Sequence, residues 1–179
     1  MNWNEIYNFW FEELNESDWF KKSDSLDQKI EDRFSDILKC ARRGELYAWR
    51  ESIKGRLSEI ILLDQFPRNI FRGSPLAFQS DDLALCLSQH IILNKEFNGL
   101  SPSEKAFAIM PFMHPESKSI HEIAPGLFKR YQLENNYEYE LKHKEIIDRF
   151  GRYPHRNKVL GRTSTPEEIE FLKQPGSAF

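Results

Sequence analysis

Along most of this chain, apolar residues recur at intervals of three and four, the spacing that lines one face of an α-helix. Trp3, Ile6, Tyr7, Trp10, Phe11 and Leu14 make a first amphipathic helix. Asn15 to Asp24 is polar apart from Trp19 and Phe20 and reads as a loop with an aromatic plug. A second helix runs from about Ser25 to Arg43 on Leu26, Ile30, Phe34, Ile37, Leu38 and Ala41, and Gly44 stops it. Tyr47 and Trp49 fall in a short connector. A third helix, from about Ile53 to Gln65, buries Ile53, Leu57, Ile60 and Ile61, and Pro67 should end it. Ser74-Pro75 restarts a helix that is apolar nearly all round to about Leu93, the mark of a central helix.

The second half of the chain carries clear start signals. Ser101-Pro102-Ser103-Glu104 and Thr165-Pro166-Glu167-Glu168 are capping boxes with Pro at the first helical position. The first opens a helix through Met110, and the second opens a short one through Leu172. Between them, Ile120, Ile123, Ala124, Leu127, Phe128 and Tyr131 define a helix that Pro125-Gly126 should kink or interrupt. Tyr139, Ile146, Ile147 and Phe150 define another from about Asn135 to Phe150, ended by Gly151, with His143 in the same face. No strand pattern occurs. The expected fold is all-α, with about seven to eight helices in antiparallel pairs. Residues 1–179 read as a single helical domain, with an Arg-rich loop and short last helix at 149–175.

One polar residue breaks the apolar phase. Three steps on from Ile61 lies Asp64, at the C-terminal end of its helix. The helix dipole disfavours a carboxylate there, and burial raises the cost unless a cation or donors meet it. Arg68, Asn69 and Arg72 follow at once in the loop and are the nearest candidates.

Charge sharpens the picture. The five Arg and Lys between residues 149 and 162 account for the difference between −3 for the whole chain and −8 for the rest. A cationic loop therefore sits in an acidic protein. The acidic remainder argues against general nucleic-acid binding. No run of about 18 apolar residues exists, so no membrane span is expected, and the N-terminus lacks a signal-peptide pattern. Cys40 and Cys86 lie in apolar helical patterns and read as reduced core thiols of a cytoplasmic protein. Neither a metal site nor a cofactor motif is expected. His114 and His121 are too far apart on a helix to share one zinc ion, and no Gly-rich phosphate loop or nucleophile elbow occurs.

Phe66-Pro67-Arg68-Asn69 and Tyr153-Pro154-His155-Arg156-Asn157 echo each other, each after an apolar helix. Three longer words, LLDQFPRNIFRG from Leu62, PFMHPE from Pro111 and RFGRYPHRNKVLGRTSTPEEIEFL from Arg149, resemble the bacterial family known as domain of unknown function 924. The opening FWFEEL and Trp19-Phe20 also fit, so the resemblance covers essentially the whole chain. It implies a tetratricopeptide-like α-α superhelix and brings no established activity. The family pattern after Pro-Phe reads His-Ser-Glu, with Gln seven residues after the His. Here Pro115 and His121 stand at the Ser and Gln positions.

Three readings fit the polar set. In the first, loops at 64–73, 112–116 and 149–162 converge on a pocket for a small anionic molecule. Arg68, Asn69, Arg72, Arg152, His155, Arg156 and Asn157 would bind its carboxylate or phosphate, and Asp64, His114 and His143 would move protons. In the second, the same residues form a buried ion network in which Asp64 pairs with Arg156 or Arg152. In the third, a helical groove presents the cationic loop to an acidic protein partner, or its Tyr and Arg planes to RNA.

Overall fold

A computed structural model of the chain describes residues 2–178. Among these residues are ten α-helices and no strand. They are α1 (Trp3–Asn8), α2 (Glu16–Trp19), α3 (Asp24–Arg42), α4 (Ile53–Asp64), α5 (Phe66–Ile70), α6 (Asp81–Ile91), α7 (Pro102–Ile109), α8 (Lys118–Arg130), α9 (Glu134–Phe150) and α10 (Pro166–Phe171). No helix among them is long and apolar enough to cross a membrane. The all-helical expectation is met. The helix count rises because two predicted loops contain short helices.

The central helix is α4, not the segment after Ser74. From Leu57 to Asp64 every residue of α4 is buried. It packs against α1 on one side and α6 on another. Five fully buried aliphatic side chains, Leu57, Ile60, Ile61, Leu62 and Leu63, each contribute about 1.5–3 kcal/mol. Together they outweigh the several kcal/mol it costs to bury a carboxylate, provided each carboxylate is met by a cation. Glu59 is so met, accepting two hydrogen bonds from Arg50 at 2.7 Å each. Gly55 permits the close approach of the preceding turn, because a Cβ there would lie 2.0 Å from the Trp49 carbonyl oxygen.

The segment after Ser74 divides. A 3-10 turn at Pro75–Ala77 is separated from α6, and Asp81 and Asp82 fall in the first turn of α6, where the dipole favours them. Arg42 holds the break, donating to the Leu76 carbonyl at 2.8 Å and to Ser80 Oγ at 3.0 Å. Pro67 does not end a helix; it occupies the first turn of α5, which follows α4 after the single residue Gln65. Arg68 and Asn69 therefore project from a helical turn rather than a loop. Residues 15–24 contain α2, with Asn15 and Asp18 forming a capping box. Trp19 plugs this region, its indole N–H donating to the Trp10 carbonyl at 2.9 Å, while Phe20 is 72% exposed.

Helices α8 and α9 pack against each other as a hairpin. Pro125 lies inside α8 without interrupting it. Ala124 and Phe128 are fully buried, and that packing carries the helix past its missing N–H. The inward residues differ from the apolar pattern. Ile123 and Tyr139 are exposed and His121 and Glu140 are buried in their place, while His143 is buried as its phase predicts. Gly151 closes α9 in the left-handed conformation at φ 69°, which turns the chain into the Arg-rich segment. The cysteine expectation holds in part. Both thiols are free, but Cys86 is exposed and Cys40 only half-buried, so neither is a core residue.

Candidate functional site

Four segments meet at the end of α4: its last residue Asp64, the first turn of α5, the first turn of α6, and the chain after Met113. His114 follows a 3-10 turn at Met110–Met113 and points Nδ1 at Asp64 Oδ1, 2.6 Å away. Gln65 donates to Asp64 Oδ2 at 2.6 Å, and Arg68 lies 3.5 Å from Oδ1. Burial alone would raise the Asp64 carboxyl. The neighbouring His114 and Arg68, with the Gln65 amide, instead hold it down to about 2. Burial pushes His114 below the ordinary histidine range and Arg68 adds to this, against the pull of Asp64. The resulting state is an ionised Asp64 accepting from Nδ1–H of a neutral imidazole. The tautomer follows from that bond, and it leaves Nε2 as a lone-pair acceptor.

Two arginines border this pair. Arg68 donates to both oxygens of Asp81, at 2.8 and 3.0 Å, and to the Asp64 carbonyl at 2.6 Å. Its fork is filled. Arg156 comes from the 3-10 turn Pro154–Arg156 and is sandwiched between the rings of Phe78 and Tyr153, with its guanidinium carbon 4.5 and 4.4 Å from their centroids. It donates through Nη1 to the His114 carbonyl at 3.0 Å. Its nearest carboxylate is Asp81 at 3.7 Å, beyond hydrogen-bond length. Its Nε is buried with no partner. Burial and the adjacent Arg68 lower its ionisation, against the pull of Asp81. Arg156 is thus an under-compensated cation, 9% exposed.

The rest of the Arg-rich segment is neutralised internally. Arg152 donates to both oxygens of Glu168, at 2.6 and 2.7 Å, and Asn157 donates to Ser164 and Glu168. The Arg152 fork, with the Thr165 N–H and Asn157 assisting against burial, holds Glu168 down to about 2. Arg162 pairs with Glu116 at 2.5 and 2.8 Å, and Arg149 pairs with Glu167 at 2.9 Å. Asn69 and Arg72 point away from this cluster. Both donate to Asp27 at the start of α3, beside a shallow groove that also involves Lys22, Asp24 and Glu31.

Behind the Arg156 sandwich lies a second, fully internal network. Tyr153, wholly buried, donates its hydroxyl to the Met113 carbonyl at 2.5 Å and lies 3.1 Å from His121 Nε2. His121 donates through Nε2 to the Pro115 carbonyl at 3.0 Å, and its Nδ1 is 2.8 Å from Glu140 Oε1. Burial pushes the Glu140 carboxyl up, with His121 opposing, and Glu140 Oε2 is buried without a partner. Burial likewise raises the Tyr153 phenol well above its usual value. His143 donates Nδ1–H to the Tyr139 carbonyl at 2.8 Å and meets the Tyr153 ring edge to face; burial lowers it to about 3. His155 is also lowered by burial, to about 4, with Arg156 adding to the shift. Both histidines are neutral packing groups near pH 7.

Of the residues singled out in the sequence, Asp64, Arg68, His114 and Arg156 come together, and His143 and His155 line the neighbouring Tyr153 layer. Asn69 and Arg72 stand apart on Asp27, and Arg152 and Asn157 serve Glu168. Asp64 does not pair with Arg152 or Arg156 directly; Arg68 and His114 take that place. Asp81 and Glu140 were missed, and Tyr153 was read only as a stacking ring for RNA, whereas it is wholly buried. Asp81 falls inside the continuous helix expected from Ser74 to about Leu93, where nothing marks it, and Glu140 hides beside the more apolar Tyr139. The 66–69 and 153–157 echo did contain one real signal: Arg68 and Arg156 converge on Asp81. Among the described residues, no group of three or more His, Cys, Asp or Glu is arranged to hold a metal ion.

A sequence model described as a bacterial protein of unknown function (DUF924) matches residues 6–176. A solved structure of a protein of unknown function from Agrobacterium tumefaciens is similar at TM-score 0.88 and 33% identity, covering 96% of each chain. A comparison with curated proteins finds no match.

Proposed function

Starting from a chain that belongs to the bacterial DUF924 family, we propose that it binds a small anionic carboxylate or phosphate at the rim formed by His114 and Arg156, with Asp64–His114 as the proton-transfer pair. One observation carries this reading. His114 and Arg156 keep 12% and 9% of their side chains exposed, and Arg156 Nε is buried without a partner. A buried arginine with spare donors, beside a histidine oriented by a carboxylate, is the equipment for holding an anion and moving a proton.

Arg68, engaged through both terminal nitrogens by Asp81 and the Asp64 carbonyl, supports the site by fixing those acids rather than by touching the ligand. The pairs Arg152–Glu168 and Arg162–Glu116 suit a structural part, clamping the C-terminal segment so that Arg156 is held against Phe78. The free thiols Cys40 and Cys86 suit a reducing compartment, and the reading includes a cytoplasmic location.

The test is thermal melting of wild type and Arg156→Gln against a panel of small carboxylates and phosphates. A compound that binds only the folded state raises the melting temperature by mass action. We expect at least one compound to stabilise the wild type and to leave a folded Arg156→Gln unmoved. A panel that shifts neither protein would overturn the reading.

A further inference from the structure

Residues 152–178 are braced to one another more than to the rest of the chain. Glu168 takes the Arg152 fork and the Asn157 amide, Asn157 also reaches Ser164, and Arg162 donates to the Tyr153 carbonyl at 3.3 Å. The segment is thus one cross-tied piece. Its apolar seat is small and separate from the main core: Tyr153 packs on Ile146 and Ile147, and Phe171 on Phe150. Its other ties are mostly polar. Glu116 accepts from the Tyr153 N–H and the Arg162 fork, the Tyr153 hydroxyl reaches the Met113 carbonyl, Arg156 packs on Phe78 and reaches the His114 carbonyl, and Arg149 of α9 pairs with Glu167. A segment with few apolar contacts of its own opens locally, ahead of global unfolding.

Four of the chain's five histidines gather along that seam: His114, His121, His143 and His155. The Tyr153 ring meets those of His121, His143 and His155 at centroid distances of 6.2, 5.7 and 5.5 Å. The acids that face this cluster are engaged: Glu116 by Arg162, Asp81 by Arg68, Asp64 by His114 and Gln65, and Glu140 by His121. The cations that face it are Arg68, Arg156, Arg162 and, beside Glu140, Lys144. A proton added to His143 or His155 in place sets a second buried cation beside the under-compensated Arg156. Once the segment has lifted, the same ring takes that proton in water at no such cost.

We infer that residues 152–178 form a strap that lets go as one unit on acidification, drawing Arg156 away from Phe78 and the His114 carbonyl. The release needs no ligand at the rim. Each histidine that gains its proton only in the open strap raises the opened fraction about tenfold per pH unit below about pH 6.5.

The experiment is amide hydrogen exchange of the full chain without ligand at pH 7, 6 and 5, each rate divided by that of an unstructured peptide at the same pH. Protection through residues 153–172 should fall together, by at least about tenfold between pH 6 and pH 5, while α4 and α6 keep theirs. His143→Asn and His155→Asn, each first shown to protect α4 as wild type does at pH 7, should each weaken that pH dependence. Strap protection that stays constant from pH 7 to pH 5 overturns the inference. So does loss of protection in α4 in step with the strap, which would mean that the whole chain opens. Loss confined to α10, with Tyr153 to Asn157 still protected, overturns the single unit. A pH response unchanged in both variants overturns the histidines as its cause.

Discussion

Asp81 sits in the fork of Arg68, with one oxygen on each terminal nitrogen at 2.8 and 3.0 Å, and Arg156 stands 3.7 Å behind it. One carboxylate from α6 thus serves two cations that lie 88 residues apart in the chain. Removing one partner of such a nearly buried pair leaves the other charges exposed to each other, which costs about 3 kcal/mol or more. Asp81→Ala should therefore lower the melting temperature well beyond a surface substitution. Added formate, small enough to enter the vacated fork, should recover part of the loss. Melting indistinguishable from wild type would show that Asp81 does not hold the arginines together.

Asp64 titrates far below an ordinary carboxyl, at about 2 against 3.8. A depressed folded-state value means stability that is fully present above the unfolded value and lost as the pH falls through the folded one. Wild type should then exceed Asp64→Asn by about 2 kcal/mol near neutral pH. The gap should close between about pH 4 and pH 2. Chemical denaturation of both proteins across that range checks it, and a gap that does not change with pH would contradict it.

Three histidines are held neutral by burial: His114 below its usual range, His155 at about 4 and His143 at about 3. Because their folded values are lowered, their contribution is present above about pH 6.5 and is lost as the pH falls below it. Each unprotonated histidine adds a slope of roughly 1.4 kcal/mol per pH unit between pH 6.5 and its folded value. The protein should lose stability steeply from pH 6 to pH 4. His143→Asn should flatten that slope, an outcome readable from melting temperatures at half-unit pH steps.

Arg72 and Asn69 bind Asp27, away from the rim. Arg72→Ala should leave ligand-induced stabilisation as in wild type and cost at most about 1 kcal/mol, the range of a partly exposed ion pair. Loss of ligand response in Arg72→Ala with the fold intact would move the site to the α3 groove.

Glu168 joins Arg152, Asn157 and the start of α10 at one carboxylate. Glu168→Gln should speed amide hydrogen exchange through Pro166–Phe171 while leaving exchange in α4 unchanged. Equal protection in both helices would mean that α10 is held by its packing on Phe150 instead.

Local signals were read well from the chain itself. Helical phase, the capping boxes at Ser101 and Thr165, and the glycine stop at Gly151 depend on residues within one or two turns of each other, so the sequence states them directly. The burial of Asp64 was legible for the same reason, because its phase on α4 is a local property. Where a polar residue replaced an apolar one on a buried face, phase alone misled. Tyr139 looked like core and Glu140 like surface, yet Glu140 goes inside because His121 on α8 waits there.

The sequence by itself determined an all-helical chain, its main breakpoints, and the inward aspect of Asp64. Tertiary structure alone decided which charges meet. An ion pair stabilises through separation in space, and its strength falls with distance and rises with burial, neither of which a linear spacing records. Arg149, Arg152, Arg156 and Arg162 are near neighbours in the chain and look alike in it. Folding gives three of them a carboxylate within 2.9 Å and leaves Arg156, packed between two aromatic rings, without one in hydrogen-bond reach.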